Sequence, residues 1–267
     1  MTSLDAVCQT LAQIAPLRLA ESWDNVWLLV GDRRHDVQKI MTCLTITPNV
    51  VQEAIEQQAS LIVAHHPLPF KSLQKITTDS IPGQMLLNLI QGGVAIYSAH
   101  TAFDSAVEGI NQMWAQELKL EAIEPLVVST ETSSDSAVAD GSGRVGRLAQ
   151  STSLGELVRL AASVVGATVP RRVGNDDQKV TKVALACGSG GSFLAAAKRR
   201  GCDAMITGEA TFHTCLEAEA FGIGLGLLGH YWSERFAMER MAERLAGEFP
   251  KIEVWASRSE FNPIALA

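Results

Sequence analysis

Histidines and carboxylates that could bind metal ions follow three short apolar segments of the chain. Adjacent His65 and His66 come directly after Ala64, and Pro67 keeps the backbone before it away from helical geometry. Each of the other two places carries a histidine four residues before a carboxylate, which puts both side chains on one face of a helix: His100 with Asp104, and His230 with Glu234.

Mixed imidazole and carboxylate donors indicate a particular kind of metal site. They suit divalent transition ions such as Zn, Fe, Mn, Ni or Co better than Ca. Six donors exceed what one tetrahedral ion needs, whereas two ions about 3.5–4 Å apart can share a bridging carboxylate. The sequence therefore predicts two divalent metal ions, with Asp104 as the expected bridge.

Two further residues could transfer protons at such a site. Glu209 and His213 follow another apolar segment, which ends at Thr207. We interpret His213 as a residue near the site that does not bind metal directly. The sixth histidine, His35, lies in a charged loop and is expected to be solvated.

A glycine-rich segment over 188–192 lies between a predicted strand and a predicted helix. Its backbone N–H groups could hold a phosphate, although it matches neither the Walker motif nor the Rossmann spacing. The alternative is a tight turn that lets the backbone pack closely. The sequence leaves both interpretations open.

The donors are placed by an alternation of short apolar strands with helices. This alternation predicts parallel sheets covered on both faces, and ligands bind at the carboxyl edge of such sheets. The predicted strands span 40–46, 61–64, 94–97, 180–186, 204–207, 224–228 and 252–255. The predicted helices span 4–14, 48–59, 82–91, 105–118 and 154–165, one from 192, one ending near 220, and 232–245. The small polar residues over 129–142 predict a mobile segment or a domain junction.

Composition narrows the class of protein further. The 267 residues are 47% hydrophobic and 19% charged, as in ordinary soluble proteins. A net charge of −7 makes nucleic acid an unlikely partner. No run approaches the roughly 18 apolar residues that span a membrane. Five cysteines without C-x-x-C spacing indicate reduced thiols, and the first residues indicate a helix, not a signal peptide. We therefore expect a cytoplasmic protein with no membrane partner.

Several motifs along the chain are similar to those of one known family. They are Glu21-Ser22-Trp23-Asp24-Asn25, Ala64-His65-His66-Pro67-Leu68, Ser98-Ala99-His100-Thr101 with Asp104, Cys187-Gly188-Ser189-Gly190, Ile206-Thr207-Gly208-Glu209, and Gly229-His230 with Ser233-Glu234. In this order, from about residue 4 to 260, they resemble the NIF-three-like family. Its members are also called GTP cyclohydrolase 1 type 2 homologues or dinuclear metal centre hexameric proteins.

The resemblance implies a domain organisation and an assembly. It implies an α/β fold of two lobes with mostly parallel sheets, the second lobe inserted before the C-terminal segment returns to the first. The expected bounds are 1–128, 129–225 and 226–267. It also implies a toroidal homohexamer whose metal pairs face an internal cavity. The implied ligands are the six residues already named, with His100 either a ligand or a neighbour of one.

Two positions depart from the family pattern. Trp27 stands where glycine is usual, which puts the local shape of that segment in question. Thr45 stands where an acidic residue is common, which removes a carboxylate from the neighbourhood of the site.

These observations support two classes of function. The first is a metal-dependent hydrolase that acts on a small phosphorylated or nucleotide ligand, GTP being suggested by resemblance alone. The second is a non-catalytic hexameric metal-binding scaffold or regulatory protein that binds a partner. Metal-dependent turnover would favour the first, and rapid metal exchange without turnover the second. Threading of nucleic acid through the ring is disfavoured by the net charge.

Overall fold

The computed structural model of the protein describes residues 2–129 and 140–265. It divides into two compact units, of which unit 1 comprises Met1–Phe103 with Ala237–Ala267 and unit 2 comprises Asp104–Phe236. In chain order the elements are β1 Thr2–Ser3, α1 Leu4–Ile14, β2 Trp27–Val30, β3 Asp36–Val37, β4 Lys39–Cys43, α2 Pro48–Glu56, β5 Leu61–Ala64, α3 Ile81–Gln91, β6 Ala95–Ser98, α4 His100–Ser105, α5 Ile110–Glu117, β7 Glu121–Val128, β8 Gly141–Ser153, α6 Leu154–Val165, β9 Arg171–Val173, β10 Lys179–Ala186, α7 Leu194–Arg199, β11 Ala204–Thr207, α8 Phe212–Phe221, β12 Gly224–Leu227, α9 His230–Glu248 and β13 Glu253–Ala256.

Unit 1 is built on a five-stranded sheet in the order β13-β4-β5-β6-β2. The pairings from β13 to β6 are parallel, and only β2 runs antiparallel to its neighbour. Strands β5 and β6 are buried along their whole length, which explains their continuous apolar sequence. One core cluster includes Met41, Val50, Ile62, Leu86 and Ile96.

Backbone hydrogen bonds extend the ladder of this sheet past the strand ends and fix the first polar residues. The N–H groups of His65 and His66 donate to the carbonyls of Cys43 and Leu44. The N–H of His100 donates to the carbonyl of His65 at 3.2 Å. The histidines therefore begin from a rigid carboxyl edge of parallel strands, as the sequence predicts.

Strand β13 and the segment after it are fastened to α2 by the buried carboxylate of Glu53. It accepts hydrogen bonds from Trp255 Nε1, Ser257 Oγ and the backbone N–H groups of Arg258 and Ser259. Burial alone would raise the pKa of Glu53, but these hydrogen bonds hold it below its ordinary value. The ionised carboxylate thus joins two parts of unit 1 that are far apart in sequence.

Unit 2 is built on a six-stranded sheet in the order β7-β8-β10-β11-β12-β9. Its three central strands β10, β11 and β12 are parallel, and the outer strands pair antiparallel. The sequence does not predict β7, β8 or β9, because charged residues and glycines interrupt their apolar pattern. This sheet is therefore mixed, with a parallel centre that carries the polar strand ends.

The predicted α/β class is confirmed, and the bounds of the two units differ in detail from the expected ones. The chain passes between the units inside α4 and α9, at 103/104 and 236/237, whereas the expected bounds were 128 and 225. The change in composition over 129–142 predicts a polar loop, but the boundary between the units depends on which residues pack together, and that is not visible in composition. Most of the polar segment predicted over 129–142 lies outside the described residues. Within the described parts of the chain, no helix combines the length and apolarity needed to cross a membrane.

Candidate metal centre

Three predicted ligands of unit 1 form a compact group, here called the imidazole cluster: His65, His66 and His100. Their ring centroids lie 5.1, 5.2 and 5.4 Å apart, so the rings form a nearly equilateral triangle. Each ring offers a nitrogen within 4.8 Å of the others. His65 and His100 are buried, and His66 is half-buried. Three convergent imidazoles are a donor set found in zinc enzymes.

Asp24 orients His100 within the imidazole cluster. Its Oδ1 lies 2.7 Å from Nδ1 of His100, and its Oδ2 accepts hydrogen bonds from the N–H and hydroxyl of Thr101. Burial alone would raise the pKa of Asp24, but hydrogen bonds from His100 and Thr101 lower it to about 2. An ionised carboxylate only accepts, so Nδ1 of His100 carries a proton, and in the neutral ring Nε2 then has the lone pair that binds a metal ion.

Thr45 lies beside the corresponding nitrogen of His66. Its hydroxyl Oγ1 lies 2.7 Å from Nδ1 of His66. The carboxylate of Glu260 in turn accepts hydrogen bonds from the N–H groups of Leu44 and Thr45, at 2.9 and 2.6 Å. Position 45 therefore places a hydroxyl beside the site, and a carboxylate from the C-terminal segment holds the backbone that carries it.

The predicted ligands of unit 2 lie in a group of opposite charge, here called the carboxylate cluster: Glu209, His230 and Glu234. Nδ1 of His230 lies 2.7 Å from Oε1 of Glu209, and Nε2 lies 3.0 Å from Oε2 of Glu234. The hydrogen bond to Glu234 raises the pKa of His230 to about 9, with a further contribution from Glu209. Two carboxylates around one imidazole favour a cation at this position.

A glycine brings the backbone against the carboxylate cluster. A Cβ at Gly188 would lie 2.1 Å from Oε1 of Glu234, and the φ of +59° also favours glycine. The N–H of Gly188 donates to Ser233 Oγ, and the N–H of Glu209 donates to the Gly188 carbonyl. A Cβ at Gly190 would lie 2.6 Å from both Cβ of Ala186 and Oγ1 of Thr207, so the segment has the close packing of a tight turn. Phosphate binding by the 188–192 segment stays a prediction.

Asp104, the expected bridge, is held by a buried thiol in unit 2. Sγ of Cys187 donates to Oδ1 of Asp104 at 3.2 Å, while the side-chain oxygen of Asn111 accepts from the N–H of Cys187. Burial raises the pKa of Cys187 well above its usual value, and the charges of Asp104 and Glu234 raise it further. The thiol is therefore neutral, and acts as a hydrogen-bond donor that fixes one carboxylate oxygen.

The remaining predicted residues are placed as follows. His213 is exposed at the start of α8, with its ring edge-on to that of Phe212, and its role in proton transfer stays a prediction. His35 is exposed, as expected. Trp27 has a φ of +91°, so tryptophan here keeps a backbone conformation that favours glycine.

The residues that orient the ligands are not predicted by the sequence as such. Asp24 is part of a family motif with no assigned role, and Glu209 is predicted only for proton transfer. A carboxylate or hydroxyl beside Nδ1 of a ligand histidine is expected from metal chemistry in general. Sequence spacing could not identify these partners, because they come from distant loops.

The chain matches known proteins over nearly its whole length. The family model described as Duf34/NIF3 (NGG1p interacting factor 3) matches residues 2–263. The GTP cyclohydrolase 1 type 2 homolog of Clostridium acetobutylicum is 33% identical over 248 residues, covering 93% of this chain and 91% of that one. The protein called GTP cyclohydrolase 1 type 2 in Helicobacter pylori is 32% identical over 235 residues, covering 88% of each chain. The fold is similar to that of a Bacillus cereus protein related to NIF3, with a TM-score of 0.91, 21% identity and 99% of both chains covered.

Proposed function

Because this chain belongs to the Duf34/NIF3 family, we propose that it is a metal-dependent hydrolase that holds two divalent ions. The ligands of this proposal are the imidazole cluster of unit 1 together with Asp104, His230 and Glu234 of unit 2. The proposed ions are Zn, Fe, Mn, Ni or Co, and the proposed substrate is a small phosphorylated compound or nucleotide. The relatives from Clostridium acetobutylicum and Helicobacter pylori carry names that refer to GTP cyclohydrolase, which makes GTP the first substrate to test.

The observation that carries the proposal is the orientation of the histidines. The Nδ1 atoms of His66, His100 and His230 each lie 2.7 Å from an oxygen of another side chain. A partner at Nδ1, as on His100, leaves Nε2 for a metal ion and is the common way in which proteins prepare imidazoles for metal. His230 differs because its Nε2 lies 3.0 Å from Oε2 of Glu234, so a metal ion would replace that contact and bind both side chains. A purely structural histidine needs no such repeated device.

The chemistry assigns separate tasks to the residues around the ligands. A pair of bound divalent ions supplies Lewis acidity and lowers the pKa of water towards neutrality. Asp24 and Thr45 keep two imidazoles in position. Glu209 accepts hydrogen bonds at Oε1 from His230 and Ser189, so its Oε2 is the atom that would take a proton from water. His213, exposed in α8, is the alternative residue for passing that proton to solvent.

The experiment compares wild-type protein with a double variant, His65→Ala with His230→Ala, which removes one ligand from each unit. Both are loaded with Zn, Mn or Fe and offered GTP and a panel of phosphoesters. We expect turnover by the wild type, none by the double variant, and wild-type turnover by the control His35→Ala. Equal turnover by the wild type and the double variant would remove the hydrolase proposal for those substrates.

The same measurements decide on the alternative function. The anionic environment of His230 favours a cation whether or not a reaction follows. Bound metal that exchanges within minutes, with no turnover of any substrate, would identify a metal-binding scaffold or regulatory protein instead.

We propose further that the chain assembles as a toroidal homohexamer. The proposal derives from the family resemblance and is tested by light scattering of the metal-loaded protein. A monomer at micromolar concentration would overturn the ring without affecting the ligand assignment.

A further inference from the structure

Two large aromatic side chains stand exposed beside the imidazole cluster. Trp23 is 61% exposed and Phe70 is 52% exposed. Their ring centroids lie 6.2 Å apart, with the planes inclined by 49°. Each ring is also edge-on to His100, with a centroid distance of 5.9 Å in both cases. His100 therefore contacts two groups of rings: the other two imidazoles of the imidazole cluster on one side, and the exposed rings of Trp23 and Phe70 on the other.

The positions of the two exposed rings are fixed by polar contacts in their loops. The side-chain amide of Asn25 donates to the carbonyl of Pro69 at 2.8 Å and so ties the Trp23 loop to the Phe70 loop. Asp24, next to Trp23, is held by His100 and Thr101 as described above. Rings that are held in place before binding lose little freedom when a ligand stacks on them, which favours affinity.

The side chains around Trp23 and Phe70 favour one class of ligand. The exposed ring faces are apolar and carry π electrons, which suits flat rings better than branched aliphatic groups. The nearest carboxylate, Asp24, already accepts hydrogen bonds at both oxygens and therefore does not provide a strong site for an amine. A compound that reaches the imidazole cluster past His100 comes within stacking distance of both aromatic rings.

We propose that Trp23 and Phe70 form a stacking platform for a planar heteroaromatic ring, such as a nucleobase. The platform places the ring of the substrate beside His100. Hydrolysis of the bound ligand rests on the proposed function, whereas binding to the platform requires no turnover.

The experiment measures two probes that differ by the base: guanosine 5′-monophosphate and ribose 5-phosphate. Their affinities for the full chain are determined by calorimetry, with metal loaded and after treatment with a chelator. We expect the wild type to bind the nucleotide more tightly than the sugar phosphate in both states. Trp23→Leu and Phe70→Leu should each weaken nucleotide binding about fivefold or more, since a stacked base commonly contributes that much. Affinity for ribose 5-phosphate should not change.

Matched variants separate stacking from other effects. Trp23→Phe and Phe70→Tyr keep a ring and should retain affinity within about twofold. Phe212→Leu removes an exposed ring of unit 2 and should have no effect. Equal binding of the two probes by the wild type, or wild-type nucleotide affinity in the leucine variants, would overturn the platform. A change of oligomer mass in Trp23→Leu with unchanged affinity would overturn it too, and would identify the rings as an interface between copies.

Failure of this inference and failure of the proposed function have different signatures. If the protein binds the nucleotide through both rings but hydrolyses nothing, the stacking platform is supported and the hydrolase proposal is overturned. If a Trp23→Leu, Phe70→Leu double variant hydrolyses nucleotides as the wild type does, the hydrolase proposal is supported and the stacking platform is overturned.

Discussion

The imidazole cluster of unit 1 and the carboxylate cluster of unit 2 both begin where parallel strands end, yet they hold their histidines in different ways. In unit 1 the three imidazoles of the imidazole cluster pack against one another, and a buried partner, Asp24, fixes the orientation of His100. In unit 2 a single half-exposed imidazole stands between the two carboxylates of Glu209 and Glu234.

The difference shows that the carboxyl ends of parallel strands can contribute to a metal site in two ways. They can fix the direction of the ligand atoms, or they can supply negative charge. Unit 1 supplies imidazole nitrogens whose directions are set in advance, and its carboxylate Asp24 is already hydrogen-bonded to His100 and Thr101. Unit 2 supplies negative charge, which a divalent ion needs for neutralisation. We therefore expect variants of unit 1 to act through orientation and variants of unit 2 to act through the position of Glu234.

The largest effect is expected from Gly188→Ala. The new Cβ would lie 2.1 Å from Oε1 of Glu234 and would displace that carboxylate. Zinc affinity, measured by competition with a chromogenic chelator, should fall more than about 100-fold. The control Gly201→Ala has a similar φ of +66° with no atom within 4 Å of the new Cβ, so it shares only the backbone strain. Equal affinity in the two variants would show that the position of Glu234 does not matter.

Asp24→Asn should have the next largest effect. The amide weakens the hydrogen bond that holds Nδ1 of His100, and it removes an acceptor from Thr101. Changing such a partner commonly lowers metal affinity about 10- to 100-fold. Asp79→Asn, an exposed aspartate of the same unit, serves as the control and should bind zinc like the wild type.

Glu209→Gln should lower zinc affinity about tenfold, less than Asp24→Asn. The Glu209 side chain is 46% exposed, so solvent screens its charge, and Glu234 still faces His230. A loss as large as that of Asp24→Asn would break the distinction between the two clusters, because orientation would then matter equally in both.

The smallest effect is expected from Thr45→Val. Valine keeps the shape of threonine but removes the hydroxyl beside Nδ1 of His66. The loss of one neutral hydrogen bond corresponds to about a fivefold lower affinity. Thr45→Ser keeps the hydroxyl and should restore wild-type binding. If both variants bind zinc like the wild type, His66 does not need this partner for its orientation.

The sequence predicted the framework of the site better than its surroundings. Strands β5 and β11 were predicted with their observed bounds, because four consecutive buried residues leave little ambiguity. The sequence predicted that His65, His66 and His100 lie at the carboxyl edge of a parallel sheet, and the pairing of β5 with β6 brings them together. The antiparallel strand β8 was missed because its buried residues include Arg144, whose guanidinium donates to the carbonyl of Ala106 and to Oε1 of Gln112, 38 and 32 residues away in sequence.

The partners of the ligands could not be predicted for the same physical reason. Asp24 and His100 are 76 residues apart, and Cys187 and Asp104 are 83 residues apart. Spacing along one helix or strand carries no information about such pairs. Only the path of the loops, which depends on the packing of the whole unit, brings them within hydrogen-bonding distance.

The return of the chain to unit 1 has a consequence for its synthesis. Strand β4 pairs with β13 on one side, and β13 follows all of unit 2 in sequence. A ribosome therefore completes unit 2 before it makes the residues that cover β4 and surround Glu53. During that interval β4 is a bare sheet edge, which is the kind of surface that pairs wrongly with other chains. We expect the nascent first segment to depend on chaperones until residues 253–259 emerge.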